Sequence, residues 1–153
     1  IIFSDETIHR IANLKPAAPD FAVIWALLKE VREKGISHIT GGGFYENIPR
    51  SIPDGLCANI EEAAVKVLPI FDLIAKTGEI TKRDMFNTFN MGVGMSIVVA
   101  KEDADRSVEI LKNCGEDAYI IGEVSEGARY CDCLKISGSL DVFEVIKLGL
   151  ELI

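Results

Sequence analysis

Apolar and polar positions in the first third of the chain predict one helix and two short strands. The segment PDFAVIWALLKEVREKG has helical spacing, with Asp20 available as its cap and Gly35 as its stop. The apolar face of this helix is expected to hold Phe21, Ile24, Trp25, Leu28 and Val31. ISHIT and GLCANI, on either side of a polar loop, are typical of strands because turn residues bound them and their side chains alternate or are β-branched.

The middle of the chain predicts two further helices and a strand. In EEAAVKVLPIFDLIAKTG, proline is tolerated mainly in a first turn, so Pro69 interrupts or restarts a helix that Gly78 closes. Thr81 with Asp84 resembles a capping arrangement for the helix KRDMFNTFN. MGVGMSIVVA then becomes a strongly apolar strand.

The last third predicts alternating helices and strands. KEDADRSVEILKNCG has acidic residues in its first turn and Gly115 at its end, which indicates a helix, and AYIIGEV is the next strand. CDCLKIS predicts a strand, and DVFEVIKLGLELI predicts an amphipathic helix with Val142, Val145, Ile146 and Leu150 on one face. With no repeat or linker among these elements, we expect a single domain over residues 1–153. Its fold class is α/β, or α+β, with a mixed sheet layered by helices.

Composition narrows the functional classes. The 153 residues, 48% of them hydrophobic, suffice for one substantial core, and the formal net charge is −8. Sequence-independent contact with nucleic acid or an anionic membrane needs a concentrated basic face, so neither partner is expected. Neither a run near the ~20 apolar residues of a membrane span nor a signal-peptide pattern is present, and a cytoplasmic location is expected.

The four cysteines predict neither a disulfide framework nor a metal centre. Cys57, Cys114, Cys131 and Cys133 are few and irregularly spaced. The C-x-C pair at Cys131 and Cys133 lacks a second pair or a nearby histidine that would complete a tetrahedral set. Reduced thiols are therefore expected, and no metal ligands are assigned.

The stretch HITGGGFYENIPR places three glycines at the end of a strand, where a side chain would not be tolerated. Backbone N–H groups at such a turn can form an anion-binding nest, which would let an acidic protein hold a phosphate. The glycines match neither the Walker nor the dinucleotide-binding pattern. Phosphate binding and a tight structural turn therefore remain alternatives.

Polar residues around the glycines are candidates for a sugar-phosphate site. Arg50 alone offers bidentate phosphate recognition, and its contact would contribute roughly 1.5–3 kcal/mol in a favourable setting. A side chain added at Gly42 would obstruct a phosphate or strain the backbone. The candidates of the first glycine junction are His38, Thr40, Gly41, Gly42, Gly43, Glu46, Asn47 and Arg50. Asn90, Gly92 and Gly94 form a second wall if the two strands are neighbours; otherwise they end a helix before close strand packing.

No catalytic residue is assigned from these patterns. Asp103 and Asp105 stand at a helix start, where they complement the helix dipole. His9 and His38 are the only histidines, and neither stands in a nucleophile motif.

Four segments, in order, resemble one family. HITGGGFYENIPRSIPDGLCANI, PIFDLIAKTGEI, MFNTFNMGVGMSIVVA and AYIIGEV are similar to the C-terminal domain of aminoimidazole ribonucleotide synthetase, the phosphoribosylformylglycinamidine cyclo-ligase family. The resemblance is clearest over residues 21–124. Residues 1–20 and 137–153 depart from the family pattern, and no functional residue is assigned there.

The resemblance implies ATP-dependent closure of formylglycinamidine ribonucleotide to aminoimidazole ribonucleotide in purine synthesis. It implies an N-terminal domain that supplies most ATP and Mg²⁺ contacts and the main interface of a homodimer, and a cleft shared between the domains. In the cleft, Gly41, Gly42 and Gly43 would line the nucleotide or phosphate end. Three alternatives stay open: the matching domain of formylglycinamidine ribonucleotide synthetase, another ATP-using relative such as selenophosphate synthetase, or a non-catalytic phosphate-binding module.

Overall fold

The computed structural model describes residues 21–127 and 143–149, which form five helices and five strands. The helices are α1 (Phe21–Leu28), α2 (Gly43–Asn47), α3 (Pro69–Gly78), α4 (Lys82–Thr88) and α5 (Ala104–Asn113). The strands are β1 (Gly35–His38), β2 (Leu56–Ile60), β3 (Val93–Ala100), β4 (Tyr119–Glu126) and β5 (Phe143–Gly149). Short 3₁₀ turns cover Ile48–Ser51, Glu62–Ala64 and Lys101–Asp103.

The strands form one sheet in the order β1-β3-β5-β4-β2, and each pairing within the described ranges is antiparallel. The expected sheet layered by helices is confirmed, and the antiparallel pairing corresponds to the α+β alternative. Strand β1 pairs with β3 so that His38 lies opposite Met95. The two strands that carry the glycine junctions are therefore neighbours.

Apolar side chains cover both faces of the sheet. Val98 of β3 belongs to a core cluster with Phe44 of α2 and Phe86 of α4. Its neighbours Ile97 and Val99 belong to a second cluster with Leu27 of α1 and with residues of α5. Successive side chains of a strand point to opposite faces, so β3 is covered by α2 and α4 on one side and by α1 and α5 on the other.

The predicted C-terminal helix is wrong, because residues 143–149 form the central strand β5 between β3 and β4. The segment FEVIKLG is short, and its apolar residues, interrupted by Glu144 and Lys147, fit helical spacing as well as a strand. Pairing decides the outcome, since β5 satisfies the backbone groups that β3 and β4 would otherwise leave open. Of the four residues assigned to the helix face, Val142 and Leu150 lie outside the described residues.

Helix α1 forms where predicted but ends at Leu28, and its buried face agrees only in part with the predicted one. Val23 and Leu27 are buried in the helix, and the predicted Val31 is buried in the turn after it, whereas the predicted Trp25 is 52% exposed. Nearly every position of this helix is apolar, so its sequence does not specify one buried face. Packing against α5 buries Val23 and Leu27 and leaves Trp25 outside the cluster. The predicted cap Asp20 lies outside the described residues.

Most of the remaining element predictions are confirmed. Pro69 begins α3, and Gly78 is its last residue. Thr81 caps α4, because its Oγ1 accepts a hydrogen bond from the Asp84 N–H at 3.2 Å. Helix α5 begins at Ala104, with Asp105 in its first turn. The predicted strand CDCLKIS and the cysteines Cys131 and Cys133 lie outside the described residues, while Cys57 and Cys114 form no disulfide with each other.

Candidate functional site

The polar stretch after the three glycines is a short helix and a 3₁₀ turn, so the predicted loop is wrong. Phe44 and Ile48 lie one helical turn apart, and both are fully buried. The Phe44 ring packs edge to face on Phe86 of α4 with 5.1 Å between centroids, and the Arg83 guanidinium lies 4.8 Å from the Tyr45 ring centroid. Two core side chains among polar neighbours are enough to fold this segment onto α4.

The three glycines perform different tasks. Gly41 has open space where a Cβ would be. Gly42, with φ of +91°, adopts a left-handed conformation, and a Cβ there would lie 2.5 Å from the Glu46 Oε2. Gly43, with φ of +54°, lies so close to α4 that a Cβ would overlap the Phe86 carbonyl oxygen. The structural turn therefore accounts for Gly42 and Gly43, but not for Gly41.

The turn leaves two backbone donors without a partner in the described part of the chain. The Gly43 N–H donates to the Thr40 carbonyl at 3.0 Å, which closes the turn. Neither Gly41 nor Gly42 donates its N–H to another residue within 21–127. Gly41 is exposed and Gly42 is half-buried, so these two N–H groups are the ones that a ligand could use.

Asn47 lies beneath the turn and binds it from inside. The side chain is buried, and its Nδ2 donates to the carbonyl oxygens of Gly43 at 2.8 Å, Gly41 at 3.2 Å and Thr40 at 3.4 Å. Because carbonyl oxygens only accept, these three neighbours fix which end of the amide is the nitrogen. The two N–H groups of Asn47 are thus committed to the protein.

Two serines tie the same segment to the edge of the sheet. The Ser37 hydroxyl on β1 contacts the Asn47 carbonyl at 3.0 Å and the Ser51 Oγ at 2.7 Å, and Ser51 donates to the Ile48 carbonyl at 3.0 Å. Sequence reasoning missed both serines. Alternation in ISHIT gave no reason to prefer Ser37 over any other strand position, although Ser51 directly follows the Arg50 that was selected.

An open pocket of about 190 Å³ lies between β1 and the 3₁₀ turn. Three of the predicted site residues line it: His38, Asn47 and Arg50. The other lining residues are Ile36, Ser37 and Ser51. Hydroxyl, imidazole and guanidinium groups around a shallow pocket suit a small polar anion or a sugar.

Arg50 carries the pocket's guanidinium group and is already paired. Its Nη2 lies 3.4 Å from the Glu46 Oε2, one helical turn away, and the two side chains are 69% and 52% exposed. An exposed pair of this kind is weak, so an incoming anion can compete for Arg50 at little cost. Glu46 therefore lies beside the candidate anion site and does not add to its positive charge.

The second glycine junction adjoins the first through the β1–β3 pairing. Ile39 donates its N–H to the Gly94 carbonyl at 2.9 Å. The Asn90 Oδ1 accepts from the Gly92 N–H at 3.0 Å, and Gly92 has φ of +95° with Leu68 packed against it. Asn90 and Gly92 therefore shape the turn into β3, which is the structural alternative for these residues.

A further polar cluster lies at the start of β4, where Tyr119 contacts Lys66 and Lys66 pairs with Asp117. The Tyr119 hydroxyl accepts the Lys66 backbone N–H at 3.0 Å, and the Lys66 Nζ lies 3.2 Å from Asp117 and 4.3 Å from the Tyr119 ring centroid. Burial raises the pKa of Tyr119. These contacts join the segment after the second 3₁₀ turn to the sheet.

Neither a metal-ligand cluster nor a membrane-spanning helix is found among the described residues. Residues 21–127 contain no group of three or more His, Cys, Asp or Glu side chains arranged to hold a metal ion. In the same part of the chain, no helix has the length and apolar character needed to cross a membrane.

Comparison with known proteins decides the family. A family model described as "AIR synthase related protein, C-terminal domain" matches residues 11–130. The chain belongs to this family. The AIR synthase match confirms the resemblance found in the four sequence segments, and it extends beyond residues 21–124 at both ends.

Curated relatives carry one name. A protein of Alkaliphilus oremlandii is 48% identical over 116 residues, which are 76% of this chain and 34% of the relative. Relatives in Caldicellulosiruptor saccharolyticus and Bacillus cereus are 45% and 48% identical over 114 and 115 residues, covering 74% and 75% of this chain and 33% of each relative. Each is named phosphoribosylformylglycinamidine cyclo-ligase. The chain spans about a third of the length of these relatives.

Proposed function

We propose that this chain is the C-terminal part of an ATP-dependent cyclo-ligase that converts formylglycinamidine ribonucleotide to aminoimidazole ribonucleotide in de novo purine synthesis. The observation that carries the proposal is the family match over residues 11–130, together with identities near 48% to relatives that bear the cyclo-ligase name. The pocket beside β1 supports it with the right chemistry, since a sugar phosphate needs hydroxyl contacts and an anion site.

In this proposal the pocket holds the phosphate or ribose end of a ligand. Arg50 exchanges Glu46 for a phosphate oxygen. Gly41 and Gly42 do not line the pocket, but Asn47 lines it and binds their turn, so their N–H groups are proposed to donate to the same ligand. His38 and Thr40 are exposed beside the turn and supply further polar contacts. Gly43 holds the turn against α4. In addition to shaping the turn into β3, Asn90, Gly92 and Gly94 are proposed to form the adjoining wall, which the Ile39 N–H to Gly94 carbonyl hydrogen bond joins to the first junction.

ATP and Mg²⁺ are proposed to bind mainly through an N-terminal domain of the same enzyme. ATP would supply the chemistry by phosphorylating the formyl oxygen, so that phosphate leaves when an amidine nitrogen attacks that carbon. We further propose a cytoplasmic homodimer in which this region closes over the N-terminal domain, and no turnover by this region alone.

A chimera tests the proposed activity. This chain would replace the matching region of the Alkaliphilus oremlandii relative, and ring closure would be assayed with ATP and formylglycinamidine ribonucleotide, with the unaltered relative as the positive control. We expect turnover that needs ATP but not glutamine, and none from this chain alone. A folded but inactive chimera would contradict the proposal, and glutamine-dependent activity would favour the neighbouring synthetase class.

Arg50→Ala in the chimera tests the proposed anion contact. Arg50 is more than half exposed, so we expect the lower end of a charge-assisted contact, a loss of about tenfold in affinity for formylglycinamidine ribonucleotide. Arg106→Ala is the matched control, because Arg106 on α5 is also a half-exposed arginine in ion pairs. It lies 2.6 Å from Glu30, which follows α1, and 2.7 Å from Glu109 on α5. Equal affinity of the two variants in calorimetric titration would remove Arg50 from the site.

A further inference from the structure

Asn47 lines the candidate pocket but has no donor left for a ligand. Its amide carries two N–H groups, and three carbonyl oxygens of the glycine turn share them at 2.8–3.4 Å. A phosphate needs donors, so Asn47 cannot bind one without releasing the turn. The residue therefore has a different relation to the site from that of Arg50.

The position of the three carbonyl groups has an electrostatic consequence. A carbonyl oxygen that faced the outside of the turn would repel a phosphate beside Arg50. The Asn47 Nδ2 holds the oxygens of Gly43 and Gly41 at 2.8 and 3.2 Å, and it shares the Thr40 oxygen, at 3.4 Å, with the Gly43 N–H. Because a trans peptide points its N–H away from its C=O, the inward carbonyls of Thr40 and Gly41 turn the N–H groups of Gly41 and Gly42 outward, where neither has a partner in the described residues. A turn with its oxygens withdrawn in this way can accept an anion.

The segment that carries Asn47 is tied to the edge of the sheet by side-chain contacts. Asn47 is 7% exposed, and the Ser37 hydroxyl on β1 lies 3.0 Å from the main-chain carbonyl oxygen of Asn47. Ser37 also contacts Ser51 at 2.7 Å, so the strand, the helix α2 and the 3₁₀ turn are linked through one hydroxyl. Support of this kind fixes the orientation of a site residue better than a free loop could.

We propose that Asn47 is a positioning residue that makes the glycine turn able to bind an anion by holding its carbonyl oxygens inward. The inference rests on the proposed function, because it assumes that the turn contacts a phosphate. It predicts that the donor character of Asn47 matters and that its acceptor oxygen does not.

Asn47→Asp and Asn47→Ala separate these two properties. Asp keeps the shape and the acceptors but, when ionised, cannot donate and adds a negative charge; Ala removes donors and acceptor without adding charge, so weaker binding by Ala cannot come from charge repulsion. Ribose 5-phosphate would be titrated into the full 153-residue chain, with the amide resonances of Gly41 and Gly42 followed by NMR. At neutral pH we expect both variants to bind about tenfold more weakly than the wild type, the effect of losing one or two hydrogen bonds.

A pH series adds a readout that general loss of stability would not move. Protonation of the carboxyl introduced by Asn47→Asp restores one O–H donor and removes the added charge, so the affinity of that variant, relative to the wild type at each pH, should recover as pH falls. Asn47→Ala should show no recovery. Asn59→Ala is the matched control, because the half-buried Asn59 donates to Ser125 at 2.7 Å on the β2 edge, away from the pocket.

The outcomes distinguish the inference from the function on which it rests. If Asn47→Asp kept wild-type affinity at neutral pH while Arg50→Ala bound more weakly, the positioning role of Asn47 would be overturned and the proposed anion site would stand. No titration by the wild-type chain, or no effect of Arg50→Ala, would overturn the proposed site and the inference together. Equal weakening by Asn59→Ala would show that the Asn47 effect is general destabilisation, which also overturns the inference.

Discussion

At the scale of single residues, neighbouring glycines differ in what a methyl group would meet. A Cβ at Gly43 would overlap the Phe86 carbonyl oxygen and lie 2.9 Å from that of Phe89, and backbone atoms cannot move aside as a flexible side chain can. The positive φ of Gly43 adds strain. We therefore expect Gly43→Ala to lower the free energy of unfolding by about 2–4 kcal/mol.

Gly41→Ala is the matched control for this prediction. Gly41 has no neighbour within 4 Å of its would-be Cβ, so the variant should be neutral or stabilised by up to about 1 kcal/mol through the unfolded chain. Urea unfolding of both variants measures the difference. Equal stability of the two would mean that α2 does not lie against α4 as closely as the structure has it.

The sequence predicts that this turn excludes side chains, which is confirmed at Gly42 and Gly43 but wrong at Gly41, and it does not say why. Three consecutive glycines indicate close approach or positive φ without saying what approaches. The answer for Gly43 is the backbone of α4, more than forty positions along the chain, and no local pattern encodes that distance. Asn47 was selected as a polar candidate, but its role as a donor to the turn depends on the folding of α2, which was itself not predicted.

At the scale of elements, the cap of α4 is the most local feature of the fold. Thr81 Oγ1 accepts from the Asp84 N–H, and its own hydroxyl donates to the Asp84 Oδ2 at 2.6 Å. Thr81→Ala should lower the free energy of unfolding by about 1 kcal/mol. Thr77→Ala, at an exposed position within α3, should cost less, and thermal unfolding of the pair measures the difference. A larger loss for Thr77→Ala would contradict the capping role.

Capping and proline signals were predictable because they act within a few residues, whereas two elements were not. The sequence predicts a loop where α2 forms, because only Phe44 and Ile48 mark its buried face among polar neighbours. Strand β5 was taken for a helix because a short apolar run satisfies both periods. In each case the partner decides the structure: α4 for α2, and the open edges of β3 and β4 for β5.

At the scale of the whole molecule, the fold is two helical layers on one sheet, and β3 belongs to the core on both faces. Val98 packs in the cluster that contains Phe44, and Ile97 and Val99 pack in the cluster that contains Leu27. The general architecture followed from the alternation of elements along the chain. The strand order did not, because antiparallel pairing between distant segments leaves no periodic trace in the sequence.

Because β3 is shared, damage to one face should reach the other. Phe44→Ala removes a fully buried ring from the side of α2 and α4, which should cost about 3–5 kcal/mol. Trp25 is the only tryptophan and lies in α1, on the opposite face of the sheet. In a cooperative unit, thermal unfolding followed by Trp25 fluorescence and by far-ultraviolet circular dichroism should shift to the same lower midpoint.

Leu27→Ala, on the α1 side, should shift both probes together as well. If Phe44→Ala lowered the circular dichroism midpoint while the Trp25 midpoint stayed at its wild-type value, the two faces would unfold independently and the shared-strand argument would fail.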